Sequence, residues 1–478
     1  MEDTSSHKKI PLCVDLDGTL LRTDTLLESI LPALKNNLFL FILIPIWLLK
    51  GRAYLKKRIS LIGRPKAASL PFNEQVLDYV KSEKNNGREI ILATATDIEI
   101  AMEIANYLGI FSKVIATDGI INIRAENKKD ALVSLYDLKG FDYIGDSKAD
   151  IPVWQAANSA LLVEPSKRLL NKVNKKSNVS KVFERKTNTF KLLIKEIRVY
   201  QWLKNILIFV PFLLAHKIDF DIIQRSILAF TAFSFCASFV YLLNDLMDIE
   251  SDRQHPRKRF RPVASGYLPI QLAIISAPIL LFAGLFISIF LPLKFIIILI
   301  FYLSLTTAYS FYLKRFILID VFTLAGLYTI RLLAGAAATG VDASPWLLAF
   351  SMFSFLSLAI LKRYTELKVM IDENKKTAKG RGYIIEDIDI MMNIGISSGY
   401  IGALVLALYI NSKVVEEFYK NPQILWMVAM CMLFWISRIW LLAHRGAMTD
   451  DPIIFAAKDK ISYIIILFIL ILVIGASL

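Results

Sequence analysis

The sequence predicts two domains, an N-terminal α/β domain with a helical cap and a C-terminal all-α bundle of nine transmembrane helices. Two observations support this fold class. The mean hydropathy of +0.51 and the 55% share of hydrophobic residues are too high for a soluble protein of 478 residues. The apolar residues are also unevenly distributed, because residues 1–200 look mostly soluble, whereas residues 203–478 form a succession of apolar runs. We therefore predict domains at 1–190 and 191–478, joined by the Lys/Asn/Ser-rich stretch from Lys167 to Lys191.

The N-terminal domain begins with a predicted buried strand that runs from Ile10 into the acidic turn DLDGT. Two carboxylates at spacing i, i+2 at the end of a strand, Asp15 and Asp17, can share a metal ion. Further polar residues follow other predicted strands, namely Thr94 at the end of EIILAT, Lys128 in ENKKDAL, and Asp146 and Asp150 in GDSKAD. Together these four motifs resemble those of the haloacid dehalogenase-like phosphatases.

That resemblance implies a Rossmann-like haloacid dehalogenase fold with a helical cap, and it assigns a role to each motif. Asp15 would be the nucleophile and Asp17 the general acid/base, while Thr94 and Lys128 would bind phosphate. The expected cofactor is Mg²⁺, with metal ligands drawn from Asp15, Asp17, Asp146 and Asp150. A catalytically dead copy is the alternative, but such a copy would normally have lost an aspartate, and none is lost here.

A short apolar run from Leu38 to Leu49 lies between the first two motifs and is followed by the basic sequence GRAYLKKR. It is too short to span a bilayer. A core helix and an interfacial helix both fit the pattern. We favour a cap element in the lipid interface, because the basic residues suit anionic head groups.

The C-terminal domain contains nine apolar runs that are long enough to span a membrane. They lie at 205–217, 225–243, 268–290, 295–312, 316–338, 345–361, 391–411, 421–442 and 460–478. Met1 to Lys9 lacks the apolar core of a signal peptide, so the first domain is expected in the cytoplasm. The loops that this orientation places in the cytoplasm contain more Lys and Arg than the loops on the outer side. We predict a multi-pass protein of the cell (inner) membrane with cytoplasmic active sites.

A dense polar segment, Asn244 to Gly266, interrupts these apolar runs. On a helix its three acids Asp245, Asp248 and Asp252 would share one face, where they repel each other unless a cation lies among them. Such oxygen ligands suit Mg²⁺, and the basic residues that follow suit phosphate oxygens. The segment therefore predicts a diphosphate site, although an ordinary charged cytoplasmic loop is the alternative.

The pattern NDxxDxxxD, followed by DRxxPxxxxRP, resembles the first aspartate-rich motif of the UbiA prenyltransferase superfamily. Its form DRxHPxKRxRPxAxG resembles the decaprenyl-phosphate phosphoribosyltransferase branch. The resemblance implies a UbiA-type bundle, phosphoribosyl pyrophosphate as the donor and a polyprenyl phosphate as the acceptor. Asp245 and Asp248 would be catalytic and would hold Mg²⁺ with Asp252. The substrate-binding residues expected here are Asn244, Arg253, His255, Lys258, Arg259 and Arg261.

Other polar positions of the C-terminal domain are also candidates for binding substrate. Asp320 occupies the first acidic position of the superfamily's second motif, but Leu324 stands where a second acid would complete DxxxD. A symmetric two-metal prenyl diphosphate site is therefore in doubt. Arg331 is expected to pair with Asp320 or to bind phosphate. Further basic candidates lie near the same predicted membrane face, namely Lys204 in QWLKN and Lys362 and Arg363 in LKRYTE. The alternatives are that Lys204 only extends its charge to the membrane surface and that Lys362 and Arg363 only set the orientation of the protein in the membrane.

These patterns favour a bifunctional membrane enzyme, a Mg²⁺-dependent polyprenyl-phosphate phosphoribosyltransferase fused to a phosphatase of phosphate monoesters. The phosphatase substrate we expect is the 5-phosphate of the lipid product. A UbiA-type prenyltransferase with a prenyl diphosphate donor and an aromatic or other acceptor is the alternative, and a lipid-phosphate transporter is a third. The net charge of +14 lies mainly in loops beside apolar runs, so we expect no nucleic acid partner. The sequence indicates neither an isoprenoid length nor an oligomeric state.

Overall fold

Secondary structure covers most of the chain in the computed structural model. The structure describes residues 9–37, 39–118, 123–185, 187–216, 219–372, 382–413, 415, 419–448 and 451–478. Leu38, at the start of the short apolar run, therefore lies outside the described residues. The chain forms two compact units, one of Met1–Ile197 with Tyr241–Ser276 and one of Arg198–Val240 with Ala277–Leu478. The polar segment thus belongs to the first unit.

The first unit is built on a six-stranded parallel sheet in the order β3-β2-β1-β4-β5-β6. The strands are β1 Leu12–Val14, β2 Ile90–Asp97, β3 Lys113–Thr117, β4 Asp142–Gly145, β5 Ala160–Val163 and β6 Val179–Phe183. Alternate residues of β1 to β5 enter separate apolar clusters, as Leu12 and Val14 do on one face and Cys13 on the other. The parallel α/β fold predicted from the sequence is therefore confirmed.

Helices follow the strands and cover both faces of this sheet, as a parallel sheet requires. They are α1 Thr25–Asn36, α2 Leu40–Leu49, α3 Arg52–Ile62, α4 Glu74–Asn85, α5 Ile98–Leu108, α6 Glu126–Tyr136, α7 Ile151–Ala156, α8 Lys167–Asn174 and α9 Thr189–Glu196. Helices α1 to α3 separate β1 from β2, where the sequence predicts a cap. That role stays a prediction.

The short apolar run forms α2, and most of this helix is exposed. Phe39 is 76% exposed, Ile42 64% and Leu49 89%, whereas Leu40 is buried. The core-helix alternative is thus wrong for most of α2. Contact with lipid stays a prediction that this exposure supports.

The remaining helices are mostly long and apolar. They are α10 Val210–Leu214, α11 Phe220–Met247, α12 Ile249–Gln254, α13 Ile270–Ser288, α14 Leu293–Phe311, α15 Ile319–Thr339, α16 Pro345–Asp372, α17 Ile388–Ile410, α18 Trp426–His444, α19 Pro452–Ala456 and α20 Lys460–Ser477. Helices α11 and α13 have residues in both units, and α12 lies in the first unit. In the second unit α15 to α18 share a buried apolar core that includes Val321, Ile360, Met391 and Trp440.

Eight helices among the described residues are long and apolar enough to span a membrane. The sequence predicts a ninth span at 205–217, but there the structure has a 3₁₀ helix, Val199–Phe209, followed by the short α10. These residues make a ninth span only if they are counted with α9, from which they are bent by 44°. The prediction of nine spans is therefore not established.

Candidate functional site

An acidic pocket lies where β1 and β4 of the first unit end. Carboxylate oxygens of Asp15, Asp146 and Asp150 lie within 4.8 Å of one another. Gly18, with φ +74°, allows this approach, because a Cβ there would lie 2.4 Å from Asp146 Oδ2. The sequence assigned all three acids to one site, and the parallel sheet brings them together at its carboxyl edge.

Lys128 supplies a positive charge inside this pocket. Its Nζ lies 2.9 Å from Asp15 Oδ1 and 3.5 Å from Asp150 Oδ1, and it donates to the hydroxyl of Tyr143 at 2.8 Å. That hydroxyl in turn donates to Asp150. Lys128 and Tyr143 are buried, so this network holds Asp15 and Asp150 in fixed positions.

The electrostatics of the pocket suit a divalent cation. Burial raises the pKa of Asp15 to about 7; Lys128 opposes this shift, whereas Asp150 adds to it. Burial, together with Asp15 and Asp150, raises the pKa of Asp146 to about 8. Three carboxylates share one lysine, and their oxygens are ligands that Mg²⁺ prefers. These residues therefore fit the Mg²⁺ that the sequence motifs imply.

Asp17 lies close by in sequence, but its carboxylate is not part of the acidic group. Its oxygens accept from the backbone N–H of Thr25 and from the hydroxyl of Thr96, both at 2.8 Å. Asp17 is thus placed apart from the three grouped acids, and metal binding by its carboxylate stays a prediction. A carboxylate placed beside the nucleophile and bonded to a hydroxyl remains suited to proton transfer.

Thr94, the predicted phosphate ligand, is fully buried in β2, and its hydroxyl oxygen accepts from the backbone N–H of Thr96. Thr96 was missed by the sequence reasoning. Its hydroxyl contacts both Asp17 and the hydroxyl of Thr25. The repeated threonine in TAT was the available signal, since residues i and i+2 of a strand lie on one face.

The polar segment continues from α11 into α12 with a break at Asp248. The backbone N–H of Asp248 still donates to the carbonyl oxygen of Asn244. Asn244 itself is half-buried. Asp245 and Asp252 both accept from Nη1 of Arg261, Asp245 at 2.8 Å. Asp248 instead pairs with Lys35 of α1, at 3.0 Å. Two of the three predicted acids thus converge, and the third has a different partner.

Arg261 already supplies one positive charge to Asp245 and Asp252, because one of its guanidinium nitrogens lies between the two carboxylates. Burial raises the pKa of Asp252, and Arg261 opposes that shift. Two buried acids with one arginine can accept a further positive charge. The donor set therefore fits Mg²⁺ at Asp245 and Asp252.

The basic residues after the acids have differing environments. Arg253 Nη1 and Nη2 donate to the two oxygens of Glu28, at 2.8 and 2.7 Å, and its Nε donates to the carbonyl oxygen of Ala264. Each nitrogen of Arg253 thus has a protein acceptor, and a role of Arg253 in binding substrate stays a prediction. His255 Nδ1 accepts from the backbone of the following turn. Lys258 and Arg259 are exposed, as binding of a soluble phosphate requires.

The second unit holds a cluster of two lysines around one acid. Lys204 Nζ lies 3.0 Å and Lys362 Nζ 3.1 Å from Asp451 Oδ2. Burial alone would raise the pKa of Asp451, but Lys362 and Lys204 hold it well below its usual range. Both lysines are sequence candidates. Asp451 is not among the residues that the sequence analysis selected.

Asp320 and Arg363 form a second buried cluster in that unit. Arg363 donates to both oxygens of Asp320, one of which also accepts from the hydroxyl of Tyr309 at 2.8 Å. Asp320 is fully buried and Arg363 is 1% exposed. Asp320 and Arg363 thus neutralise each other inside the fold, and binding of substrate by either residue stays a prediction.

Arg331 does not pair with Asp320 as expected. Its Nε donates to Asn205 Oδ1 at 2.9 Å, and its guanidinium lies 5.3 to 5.4 Å from the ring centres of Phe233, Tyr302 and Tyr328. Arg331 comes twelve residues after the start of α15, about 18 Å along the helix. Arg331 is therefore buried well inside the helix, among aromatic side chains.

The polar segment lies within a region of the chain that matches a known protein family. The model of the UbiA prenyltransferase family matches residues 205–381. An uncharacterized protein of Sinorhizobium fredii, y4nM, is 36% identical over 96% of this chain and 89% of its own length. The chain belongs to the UbiA prenyltransferase family. A nodulation protein of Azorhizobium caulinodans, NoeC, is 36% identical over 56% of this chain and 88% of its own length.

A further similar protein is the decaprenyl-phosphate phosphoribosyltransferase of Mycobacterium tuberculosis. It is 37% identical over 37% of this chain and 60% of its own length. Among solved structures, a UbiA homologue from Archaeoglobus fulgidus bound to DMAPP and Mg²⁺ is 14% identical, with a TM-score of 0.45 over 59% of this chain and 98% of its own. A phosphoserine phosphatase structure is 15% identical, with a TM-score of 0.27 over 39% of this chain and 98% of its own.

Proposed function

We propose that this UbiA family member is a bifunctional membrane enzyme. Its C-terminal part transfers 5-phosphoribose from phosphoribosyl pyrophosphate to a polyprenyl phosphate and releases pyrophosphate. The observation that supports this donor is the difference in charged partners between the two acidic motifs. Asp245 and Asp252 converge on a shared cation, whereas Asp320 is neutralised by Arg363 and Leu324 replaces the second acid. One acidic motif thus remains for the diphosphate.

The identity to decaprenyl-phosphate phosphoribosyltransferases also supports this reaction. In it a lipid phosphate oxygen attacks the anomeric carbon, and the bond from that carbon to pyrophosphate breaks. The attacking oxygen is already an anion, so no protein base is needed. Lys258 and Arg259 are exposed cations suited to the donor's phosphates, and Lys204 and Lys362 form an anion site around Asp451. Asp245 and Asp252, with Asp248, would hold Mg²⁺, which stabilises departing pyrophosphate when bound.

The N-terminal domain, we propose, hydrolyses a phosphate monoester. Asp15 attacks phosphorus, and Asp17 protonates the leaving alcohol and then takes a proton from the water that hydrolyses the aspartyl phosphate. Lys128 holds Asp15 in place by its ion pair. Asp15, Asp146 and Asp150 would hold Mg²⁺, which neutralises phosphoryl oxygens when bound. The substrate we propose is the 5-phosphate of the membrane domain's own product.

The transfer reaction is tested with membranes that contain the full chain, labelled phosphoribosyl pyrophosphate and a polyprenyl phosphate. We expect label to enter the lipid phase in the wild type and not in Asp248→Asn. Labelling of an aromatic acceptor by a prenyl diphosphate, with no transfer of phosphoribose, would support the alternative prenyltransferase. Movement of the lipid phosphate across the membrane of vesicles, without any covalent product, would support the transporter.

The phosphatase assignment is tested by Asp15→Asn in the same membranes. We expect the 5-phosphorylated lipid to accumulate and the dephosphorylated lipid to disappear, with the transfer rate little changed. Because both domains belong to one chain, we expect the local concentration of product at the phosphatase to be about millimolar, as short linkers between two sites produce. Identical lipid products from the variant and the wild type would exclude this substrate.

A further inference from the structure

Helix α1 of the N-terminal domain starts at the proposed phosphatase site. The backbone N–H of Thr25, its first residue, donates to Asp17 at 2.8 Å, and the Asp24 carboxylate caps the helix by accepting from Leu26 N–H. The hydroxyls of Thr25 and Thr96 are 2.8 Å apart. The beginning of α1 is therefore fixed to the side chain proposed as the phosphatase general acid.

Two charged residues further along α1 contact the polar segment of the same unit. Glu28, 1% exposed, forms the bidentate pair with Arg253, whose side chain is 6% exposed. Lys35 pairs with Asp248 at 3.0 Å, with its side chain 45% exposed. Residues seven apart lie on one face of a helix, two turns or about 10 Å from each other. One face of α1 thus presents a negative and then a positive charge to an arginine and an aspartate of the segment.

The far end of the polar segment also contacts the N-terminal domain. A Cβ on Gly266, with φ +73°, would lie 2.9 Å from Arg22 Cβ. The guanidinium of Arg22 lies 3.8 Å from the ring centre of Tyr267, and Arg185 Nη2 donates to the Tyr267 carbonyl oxygen at 2.6 Å. The segment is therefore held by the N-terminal domain at both ends.

Arg253 connects these contacts to the proposed metal ligands. It follows Asp252 directly, and its Nε donates at 2.7 Å to the carbonyl oxygen of Ala264, three residues beyond Arg261. It therefore ties α12 to the turn that carries Arg261, the residue shared by Asp245 and Asp252. Glu28 fixes Arg253 from the other side.

We propose that Glu28 is a positioning residue of the transferase, although it belongs to the phosphatase domain. Through Arg253 it holds Asp252 and Arg261 in the arrangement that converges on Asp245. The proposal rests on the proposed transferase function. Helix α1 then supports two active sites, because its first residue contacts Asp17, and Glu28 and Lys35 contact the segment with the transferase acids.

The test compares Glu28→Gln with the control Asp78→Asn, at an exposed acid of α4 in the same domain. Glutamine keeps the shape of glutamate but loses its charge. We expect Glu28→Gln to lower kcat for phosphoribosyl transfer by about tenfold or more, because small displacements of a catalytic group have large effects. KM for the donor should change less, and hydrolysis of p-nitrophenyl phosphate should stay within about twofold of wild type. The control should match wild type in all three measurements.

A double-variant cycle separates positioning from direct binding by Arg253. If Arg253 acts through Glu28, the variant carrying Glu28→Gln and Arg253→Gln should lose no more activity than the worse single variant. Additive losses, with a much higher KM for the donor in Arg253→Gln, would overturn the proposal. If Glu28→Gln does not fold, Lys35→Gln replaces it in the test, because Lys35 is exposed. We expect this variant to transfer phosphoribose about twofold to fivefold more slowly. An unchanged transfer rate would count against the proposal.

Limited trypsin digestion provides a readout independent of the transferase substrate. Arg257, Lys258 and Arg259 are exposed, and cleavage there should be several-fold faster in Glu28→Gln than in wild type or Asp78→Asn. If wild type transfers no phosphoribose but this cleavage difference is found, the proposed function fails while Glu28 still holds the segment. Unchanged cleavage together with unchanged transfer would refute the positioning role.

Discussion

The acidic pocket of the first unit predicts that its affinity for Mg²⁺ rises steeply with pH. Burial is the main reason that the pKa of Asp15 is about 7 and that of Asp146 about 8. For Asp15 the shift from 3.8 is about three units, roughly 4 kcal/mol against the charged form. At pH 6 a bound metal must therefore displace protons. We expect the apparent Kd for Mg²⁺ to fall at least about tenfold between pH 6 and pH 7 and to become constant above about pH 9.

The same pKa shifts determine how metal-free stability changes with pH. Between about pH 4 and 7 the folded state retains a proton on Asp15 that the unfolded state has released, so this group's contribution to stability is largest below pH 4 and is lost as pH rises through 7. Asp146 acts in the same direction up to about pH 8. Added Mg²⁺ should therefore raise the unfolding temperature of the full chain in detergent far more at pH 8.5 than at pH 5.5.

The measurement is a Mg²⁺ titration at several pH values, followed by thermal unfolding and by hydrolysis of p-nitrophenyl phosphate. Asp146→Asn is the matched variant, because it removes one titrating ligand and should reduce the dependence on pH. Equal shifts in unfolding temperature at pH 5.5 and 8.5 would refute the assignment of these carboxylates as one metal site.

Three further predictions concern the second unit. Asp451→Asn should strengthen inhibition of transfer by inorganic pyrophosphate, since the carboxylate that competes for Lys204 and Lys362 is neutralised; an unchanged inhibition constant would argue against an anion site there. Leu324→Asp should not increase transfer from phosphoribosyl pyrophosphate, because Leu324 packs against apolar residues, and a gain would contradict the proposed donor. Arg363→Met should destabilise the protein by about 3–5 kcal/mol by leaving the Asp320 charge buried. Adding Asp320→Asn should recover much of that loss and retain transfer, whereas loss of transfer in a stable double variant would show that Asp320 binds substrate.

Much of the N-terminal site could be predicted from the sequence because its chemistry follows strand ends. Asp15 and Asp146 come directly after β1 and β4, which are neighbours in the sheet. Parallel strands place such residues at the same edge. Asp17 differs because one of its oxygens accepts from the first residue of α1 and the other from Thr96 of β2. A spacing of two residues does not reveal which way the second carboxylate points.

The partners of the C-terminal charges could not be predicted in the same way. Arg253 and Glu28 are separated by 225 residues, and Asp320 and Arg363 by 43. Periodicity shows which residues share a face of one helix, but it carries no information on which distant charge a fold brings to that face. The sequence analysis therefore interpreted Arg253 and Asp320 without their partners Glu28 and Arg363.

The balance of charge around each buried acid distinguishes the roles that spacing leaves open. Asp320 has one arginine and a tyrosine hydroxyl, so its charge is neutralised and no ligand is required. Asp15, Asp146 and Asp150 share Lys128, which leaves an excess of negative charge that a divalent cation can offset. Asp451 has two lysines, so the excess there is positive and suits a phosphate oxygen. Since uncompensated charge inside a protein is costly, an imbalance that persists in the fold indicates a ligand of the opposite sign.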